Sequence, residues 1–161
     1  MFPNISTVKR SVLILAAVVF HDFVADAGAA DISGTARVID ARTMEVAGHK
    51  LRLFGIAPPA PGQVCRWPNK DIPCGRIAAT ALMDLVFTAT VVCRRNGRTD
   101  TDGVAIATCR ADGFDVGRNM VHTGWARAVP DLEPSYVPVE RAAEKAKRGV
   151  WRGGPSGWIA R

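Results

Sequence analysis

The chain has 161 residues, of which 48% are hydrophobic and 22% are charged, and its mean hydropathy is close to zero. This composition fits one globular domain with a modest core and argues against a disordered tail, a collagen-like chain or a polytopic membrane protein. Lysine and arginine outnumber aspartate and glutamate by 21 to 15, so the net charge of +6 favours anionic partners, with nucleic acid, anionic lipid and acidic polysaccharide all open.

The N-terminal stretch has the pattern of an export signal. Two basic residues precede an apolar run over residues 12–20, which is too short to cross a bilayer as a helix, and small residues follow it. We therefore predict a Sec-type signal peptide over residues 1–27, with an uncleaved N-terminal anchor as the alternative. The domain then covers residues 28–161, with its core at about 33–152, and lies in the periplasm or outside the cell.

The first part of the domain has the pattern of short strands. Residues 35–39 are β-branched and partly alternating, and residues 43–46 and 50–56 form two further short runs, so the three segments predict a three-stranded meander. Residues 57–74 are dense in proline, which a regular element does not tolerate, so they are predicted to form a long loop.

The second part alternates helices with a hairpin. Apolar residues recur at three- and four-residue intervals in segments that predict helices, and two apolar runs between the first and second of these predict a strand pair. The helices are predicted at residues 75–87, 116–122 and 137–148, the strands at 90–93 and 104–110, and a short tail at 152–161. Five strands and three helices indicate an α+β fold with a small closed sheet, a five-stranded barrel of the oligonucleotide- and oligosaccharide-binding kind.

Four cysteines indicate an oxidising destination. The gaps within the first pair and the second pair of cysteines are longer than those that hold structural zinc, so two disulfides are predicted. Three pairings are possible. The local one joins Cys65 to Cys74 and Cys93 to Cys109, and it is favoured because the hairpin brings Cys93 opposite Cys109.

Arg52 lies in the middle of an otherwise apolar strand. A guanidinium in that position is costly unless a carboxylate or a phosphate meets it. Two interpretations are open: a phosphate-binding arginine, or an arginine whose stem crosses the sheet edge while its head stays in water.

Five short segments occur in an order that resembles a known family. They are VIDART at 38–43, LRLFGIAPPA at 51–60, RTDTDGVA at 98–105, MVHTGWA at 120–126 and RGVW at 148–151. Together they resemble the thermonuclease family, the staphylococcal-nuclease-like domains, and above all the cysteine-containing type that proteobacteria secrete. The resemblance covers roughly residues 33–152.

The resemblance implies a five-stranded barrel with three helices and a calcium-dependent phosphodiesterase site. It places Arg42 and Ala57 where active members have metal-binding aspartates, Ala60 where they have a general-base glutamate, and Val104 where they have a second arginine. It keeps Arg52 as the phosphate-binding arginine. Because calcium needs several oxygen ligands and hydrolysis needs a proton acceptor, we predict no intact catalytic residue, no metal and no cofactor.

Nearby acids offer an alternative. Asp40 and Glu45 flank the first motif, and Asp100 and Asp102 lie in the hairpin, so a relocated site is one interpretation. The other is that Asp40 and Asp100 shape turns through side-chain to backbone hydrogen bonds.

Basic and aromatic residues provide candidate binding surfaces, with a solvated charged face as the alternative. One basic group lies near the hairpin and the other on and after the last helix, where both could contact phosphates. The first is Arg94, Arg95 and Arg98, the second is Arg141, Lys145, Lys147, Arg148 and Arg152, and the tryptophans that could stack on bases or sugars are Trp67, Trp125, Trp151 and Trp158.

These observations predict an exported, noncatalytic module, a pseudoenzyme of nuclease fold. We expect a monomer that binds an anionic polymer, either nucleic acid or acidic polysaccharide, and that does not contact the membrane after signal cleavage. An active secreted nuclease with an altered site is one alternative. Another is an accessory protein of exopolysaccharide biosynthesis, which the resemblance suggests because some rhizobial members are associated with the exopolysaccharide succinoglycan.

Overall fold

A computed structural model describes residues 31–158, so the predicted signal peptide lies outside the described residues. In chain order the strands and helices are β1 (Ile32–Gly34), β2 (Ala36–Asp40), β3 (Thr43–Val46), β4 (His49–Leu53), β5 (Ile56–Ala57), β6 (Cys65–Trp67), β7 (Lys70–Ile72), α1 (Cys74–Val86), β8 (Val91–Thr99), β9 (Ala105–Ala111), β10 (Phe114–Asp115), α2 (Val116–His122), β11 (Arg127–Ala128) and α3 (Val137–Lys145). Short 3₁₀ helices follow at Pro134–Tyr136, Gly149–Gly153 and Pro155–Trp158. Within residues 31–158, no helix has the length and apolar character needed to cross a membrane.

The main sheet runs in the order β1, β8, β9, β4, β3, β2, with β10 added beside β9. The β4–β9 ladder is parallel and the others are antiparallel. The α+β class with an OB-like sheet and three α-helices is confirmed, but the sheet is not closed by a continuous ladder. The N-terminal strand is interrupted at Thr35. Its first part, β1, pairs with β8 at one edge of the sheet, and its second part, β2, pairs with β3 at the other edge. The backbone at Thr35 connects the two edges.

The core lies between the sheet and the helices. On α1, Ala78, Leu82 and Val86 are buried at four-residue intervals, which places them on one face of the helix. They pack in one cluster with fully buried residues of the sheet and of α2, among them Leu51 and Met120. Burying a side chain of this size contributes roughly 1.5–3 kcal/mol.

Both predicted disulfides are present. Cys93 and Cys109 are direct partners in the β8–β9 register, as the hairpin prediction required. The other disulfide joins Cys65 in β6 to Cys74 at the start of α1.

The proline-rich segment contains structure that the sequence did not suggest. Part of it forms the hairpin β6–β7 around Pro68 and Asn69, whereas a loop was predicted for all of residues 57–74. A proline disrupts a strand but is compatible with a tight turn, so the proline count misled the prediction.

The predicted tail is also structured up to residue 158. Gly153 lies so close to β6 that a Cβ on it would stand 1.8 Å from the carbonyl oxygen of Arg66. The rings of Trp151 and Trp158 meet edge to face with centroids 5.3 Å apart. Residues 149–158 therefore form part of a second small core with the Cys65–Cys74 disulfide.

The last α-helix ends earlier than predicted, at Lys145 rather than at residue 148. Lys147 takes a left-handed conformation with φ of 50°. Its backbone N–H donates to the Glu144 carbonyl at 3.0 Å, and that of Arg148 donates to the Ala143 carbonyl at 2.9 Å. This pair of bonds is a Schellman motif, which ends a helix.

Candidate ligand-binding cleft

A cleft of about 400 Å³, which we call the Arg42 cleft, opens between the β2–β3 turn, β4 and the segment that follows β5. Its lining residues are Asp40, Arg42, Arg52, Ala57, Pro58, Pro59, Ala60, Pro61 and Gln63. The structure thus brings together four of the site positions predicted from the sequence, although they come from separate segments. Val104 is not among the lining residues and lies in the turn before β9.

The proline-rich wall of the cleft is held by Gln63. The Ala60 N–H donates to the Gln63 side-chain oxygen at 3.0 Å, and the Gln63 N–H donates back to the Ala60 carbonyl at 2.9 Å. The side-chain amide of Gln63 also donates to the Trp158 carbonyl at 3.2 Å. The wall is therefore tied to the C-terminal segment, and Ala60 is fixed beside the start of α1.

Arg42 is positioned by the turn between β2 and β3. Its backbone N–H donates to the Asp40 carboxylate at 2.9 Å, and its carbonyl accepts from the Leu53 N–H at 2.8 Å. Asp40 therefore shapes this turn, as an aspartate commonly does. The Arg42 side chain is half-buried on the cleft wall, and no salt bridge engages it within residues 31–158.

The Arg52 guanidinium is paired with carboxylates of the hairpin turn. Its Nη1 lies 2.5 Å from the Asp100 carboxylate and its Nη2 lies 3.6 Å from the Asp102 carboxylate. The side chains of Arg52 and Asp100 are only 15% and 10% exposed, so the head of Arg52 does not lie free in water. The Nε of Arg52 is buried without a hydrogen-bond partner.

Asp100 has two roles at once. One oxygen accepts the backbone N–H groups of Asp102 and Val104, both at 2.8 Å, and the other faces Arg52. Burial raises the pKa of Asp100, but the backbone bonds from Val104 and Asp102 and the charges of Arg52 and Arg42 outweigh it. The pKa therefore lies below its ordinary value of 3.8.

The Arg52–Asp100 pair is the feature of the site that sequence reasoning missed. It depends on the parallel pairing of β4 with β9, in which Arg52 stands opposite Ile106 and the turn before β9 lies beside it. The DTDG sequence at 100–103 indicated a turn. Only the strand order of the sheet shows which side chain that turn faces.

The donor set does not fit the calcium ion that the resemblance implies. Calcium takes six to eight oxygen ligands, largely carboxylates. Asp40 is the carboxylate among the lining residues, one of its oxygens accepts the Arg42 N–H, and the guanidinium groups of Arg42 and Arg52 lie in the same cleft. In the described part of the chain, no three His, Cys, Asp or Glu side chains are grouped so as to hold a metal.

The basic and aromatic residues predicted to form binding surfaces lie in several separate parts of the structure. Arg94 pairs with Asp31 at 3.1 Å, and Arg148 lies against the His122 ring at 3.2 Å. Trp151 is buried, and Trp125 and Trp158 pack against the second small core, so these three rings have structural positions. Trp67 also packs against this core, and it lines a surface cleft with basic residues.

Comparison with known proteins gives two matches. The sequence profile of the family described as staphylococcal nuclease homologue matches residues 50–153. The succinoglycan biosynthesis protein ExoI of Rhizobium meliloti (strain 1021) is 38% identical over 136 residues, which cover 81% of this chain and 70% of that protein. The profile match includes Arg52, Ala57, Ala60 and Val104 and begins after Arg42.

Proposed function

From the premise that this chain belongs to the staphylococcal nuclease homologue family, we propose that it has lost calcium-dependent phosphodiesterase activity and acts by binding an anionic polymer. The lining of the Arg42 cleft is the observation that carries the proposal. A cation and two alanines, Arg42, Ala57 and Ala60, line the cleft at the positions where the resemblance implies two metal-binding aspartates and a general base.

Loss of these groups removes several contributions to catalysis together. A cleft without the glutamate has no proton acceptor for an attacking water at that position. A cleft without the aspartates has no carboxylates to hold a metal that would stabilise the charge on the transferred phosphate. Arg52 is already engaged by Asp100, which neutralises the charge that it would offer to a phosphate.

We also propose that the protein is exported and acts as a monomer in the periplasm or outside the cell. Two disulfides support export, because such bonds persist in oxidising compartments and are rare in the cytosol. The predicted signal peptide over residues 1–27 agrees with it.

A cleavage assay tests the loss of activity. The oxidised protein is incubated with single-stranded DNA, double-stranded DNA and RNA, with calcium or with a chelator. We expect no cleavage above background in either condition. The variant R42D/A57D/A60E/V104R, assayed in parallel, shows whether restoring the four groups restores chelator-sensitive cleavage. Cleavage by the native chain that the chelator abolishes would contradict the proposal and support an active nuclease with an altered site.

A second candidate function is an accessory role in exopolysaccharide biosynthesis. The similarity to a protein named for succinoglycan biosynthesis favours it, because the similarity extends over most of both chains. Deletion of the gene should reduce acidic exopolysaccharide in the culture medium without changing extracellular nuclease activity. Complementation with the native chain should restore the polymer. Normal exopolysaccharide in the deletion strain would argue against this role.

A further inference from the structure

A second cleft, which we call the Trp67 cleft, lies at the β6–β7 hairpin. It has a volume of about 370 Å³ and is lined by Trp67, Pro68, Asn69, Lys70, Lys147 and Arg152. Its three cations come from separate places in the chain: β7, the end of α3 and the 3₁₀ helix Gly149–Gly153. Its size falls in the range typical of sites for small ligands or for one unit of a polymer.

Trp67 organises the cations of this cleft. Its indole N–H donates to the Gly149 carbonyl at 3.1 Å, which fixes the ring. The Arg152 guanidinium lies 4.8 Å from the ring centroid and the Lys70 ammonium lies 5.5 Å from it. Both distances are within the range of cation–π attraction. The close approach of Gly153 to the Arg66 carbonyl keeps the segment that carries Arg152 against the hairpin.

The lining of the Trp67 cleft contains three cations and no carboxylate. Within residues 31–158, no salt bridge joins Lys147 or Arg152 to an acidic side chain. Like charges held close together repel one another, so an anion in the cleft would lower the electrostatic free energy.

The position of Lys147 adds an independent observation. It occupies the left-handed position that ends α3, with φ of 50°, where glycine is the usual residue. A residue that carries a Cβ atom is strained in this backbone conformation. A lysine stands there nevertheless, and its side chain lines the Trp67 cleft.

We propose that the Trp67 cleft binds a carboxylate-bearing sugar unit of an acidic polysaccharide. This inference rests on the proposed function, the binding of an anionic polymer, and names the polymer and the place where it binds. Arg152 offers a paired donor geometry that matches a carboxylate, and Lys70 and Lys147 add point charges.

Two features of the cleft favour a polysaccharide over a nucleic acid. Proteins that bind single strands without sequence preference combine a basic groove along the backbone with open aromatic faces on which bases stack. Here the three cations line one compact cleft, and two of them, Lys70 and Arg152, already lie over the Trp67 ring. Such a compact group suits an isolated carboxylate on a sugar better than a run of phosphates.

Titration calorimetry with polygalacturonate, a polymer of carboxylated sugars, tests the proposal. Fully methyl-esterified polygalacturonate is the neutral control, and single-stranded DNA is the competing polyanion. We expect the oxidised protein to bind polygalacturonate at least five-fold more tightly than either comparison polymer. The variants K147G and R152Q should each lose at least five-fold in affinity. The matched charge variant R76Q, at an exposed position of α1 outside both clefts, should change affinity less than two-fold.

Thermal unfolding separates lost binding from lost folding. Because glycine suits the left-handed position, K147G should keep or raise the melting temperature while it weakens binding. Stronger binding of single-stranded DNA, an equal effect of R76Q, or unchanged affinity in both K147G and R152Q would overturn the proposal. If the native chain also shows no metal-dependent cleavage, these results reject the Trp67 cleft alone, whereas chelator-sensitive cleavage rejects the proposed function.

Discussion

The Arg52 guanidinium is held by a carboxylate of its own chain. Arg52 and Asp100 come from segments far apart in the sequence, and both side chains are mostly buried. Breaking such a pair leaves a buried charge without a partner, which is more harmful than never having had the pair. At the scale of single residues, this turns a candidate phosphate-binding group into part of the framework of the cleft.

The substitution D100N tests this role of Asp100. The variant should be less stable than the native chain, because it removes the charge that faces Arg52. The folded-state pKa of Asp100 is lowered, so its carboxylate contributes stability above the ordinary pKa of 3.8 and loses that contribution as the pH falls through the folded-state value. Urea unfolding should show a difference between the two chains that is constant above about pH 5 and shrinks in stronger acid. A difference that does not depend on pH would contradict the assignment.

The hydroxyl of Tyr136 connects two helical segments. It donates to the Asp115 carboxylate, whose oxygens lie 2.9 Å away, and Asp115 also accepts the Arg118 N–H at the start of α2. Burial raises the pKa of Tyr136, and the hydrogen bond to Asp115 and its negative charge raise it further. Its stabilising contribution is therefore complete below pH 10 and is lost as the pH rises through the folded-state pKa.

The substitution Y136F should lower the free energy of unfolding by about 1.5–3 kcal/mol at neutral pH, because it removes a hydrogen bond to a charged group. The chain has a single tyrosine, so its ultraviolet absorbance reports ionisation directly. In the folded chain the phenol should remain protonated at pH 10, whereas the chain unfolded in urea should be about half ionised there. Half ionisation at this pH without unfolding would show that the contact with Asp115 is absent in solution.

The first turn of α1 packs closely against the proline-rich wall of the Arg42 cleft at Gly75. A Cβ on Gly75 would stand 1.8 Å from the Ala60 carbonyl oxygen, whereas a Cβ on Gly62, in the same wall, would meet nothing within 4 Å. The wall therefore depends on close backbone packing at one point and tolerates substitution at another.

The variants G75A and G62A form a matched pair for this packing. G75A should lower the free energy of unfolding by about 1–3 kcal/mol, because the added methyl group forces the backbone of the wall to move. G62A should leave stability unchanged or raise it by up to about 1 kcal/mol, since it restricts the unfolded chain. Chemical unfolding of both variants gives the comparison, and equal effects would contradict the packing described.

The Cys65–Cys74 disulfide holds the β6–β7 hairpin to α1 and to the second small core. Its removal in C65A/C74A should cost about 2–3 kcal/mol, the range expected for closing a loop with a sequence separation of 9. Near-ultraviolet circular dichroism should show a loss of tryptophan order, because Trp67 and Trp158 pack on this core. Removal of the Cys93–Cys109 disulfide is the control. It should cost about 3 kcal/mol while the signal from these tryptophans is kept.

The sequence predicted well wherever periodicity or turn chemistry is local. The helices α1 and α2 and both disulfides follow from apolar spacing and from the hairpin, and all are present. The β6–β7 hairpin and the packed segment after Trp151 were missed, because they depend on contacts between distant segments, such as Gly153 against Arg66. For the same reason, the positions lining the Arg42 cleft were predicted as a group, but the partner of Arg52 was not.

At the scale of the whole molecule, two clefts differ in the groups that they offer. The Arg42 cleft lacks the acids that the resemblance implies for a catalytic site, and the Trp67 cleft is lined by three cations and one tryptophan. The chain keeps the fold of its family, and fold alone does not determine activity. We therefore propose that this protein acts by binding and not by phosphodiester hydrolysis.

Calorimetric titration of the oxidised protein with calcium tests that assignment most directly, first alone and then in the presence of a mononucleotide. Because the Arg42 cleft offers too few carboxylates, we predict no measurable calcium binding in either titration. The restored variant R42D/A57D/A60E/V104R, measured beside it, should take up calcium. Tight binding of calcium by the native chain, strengthened by the nucleotide, would contradict the account.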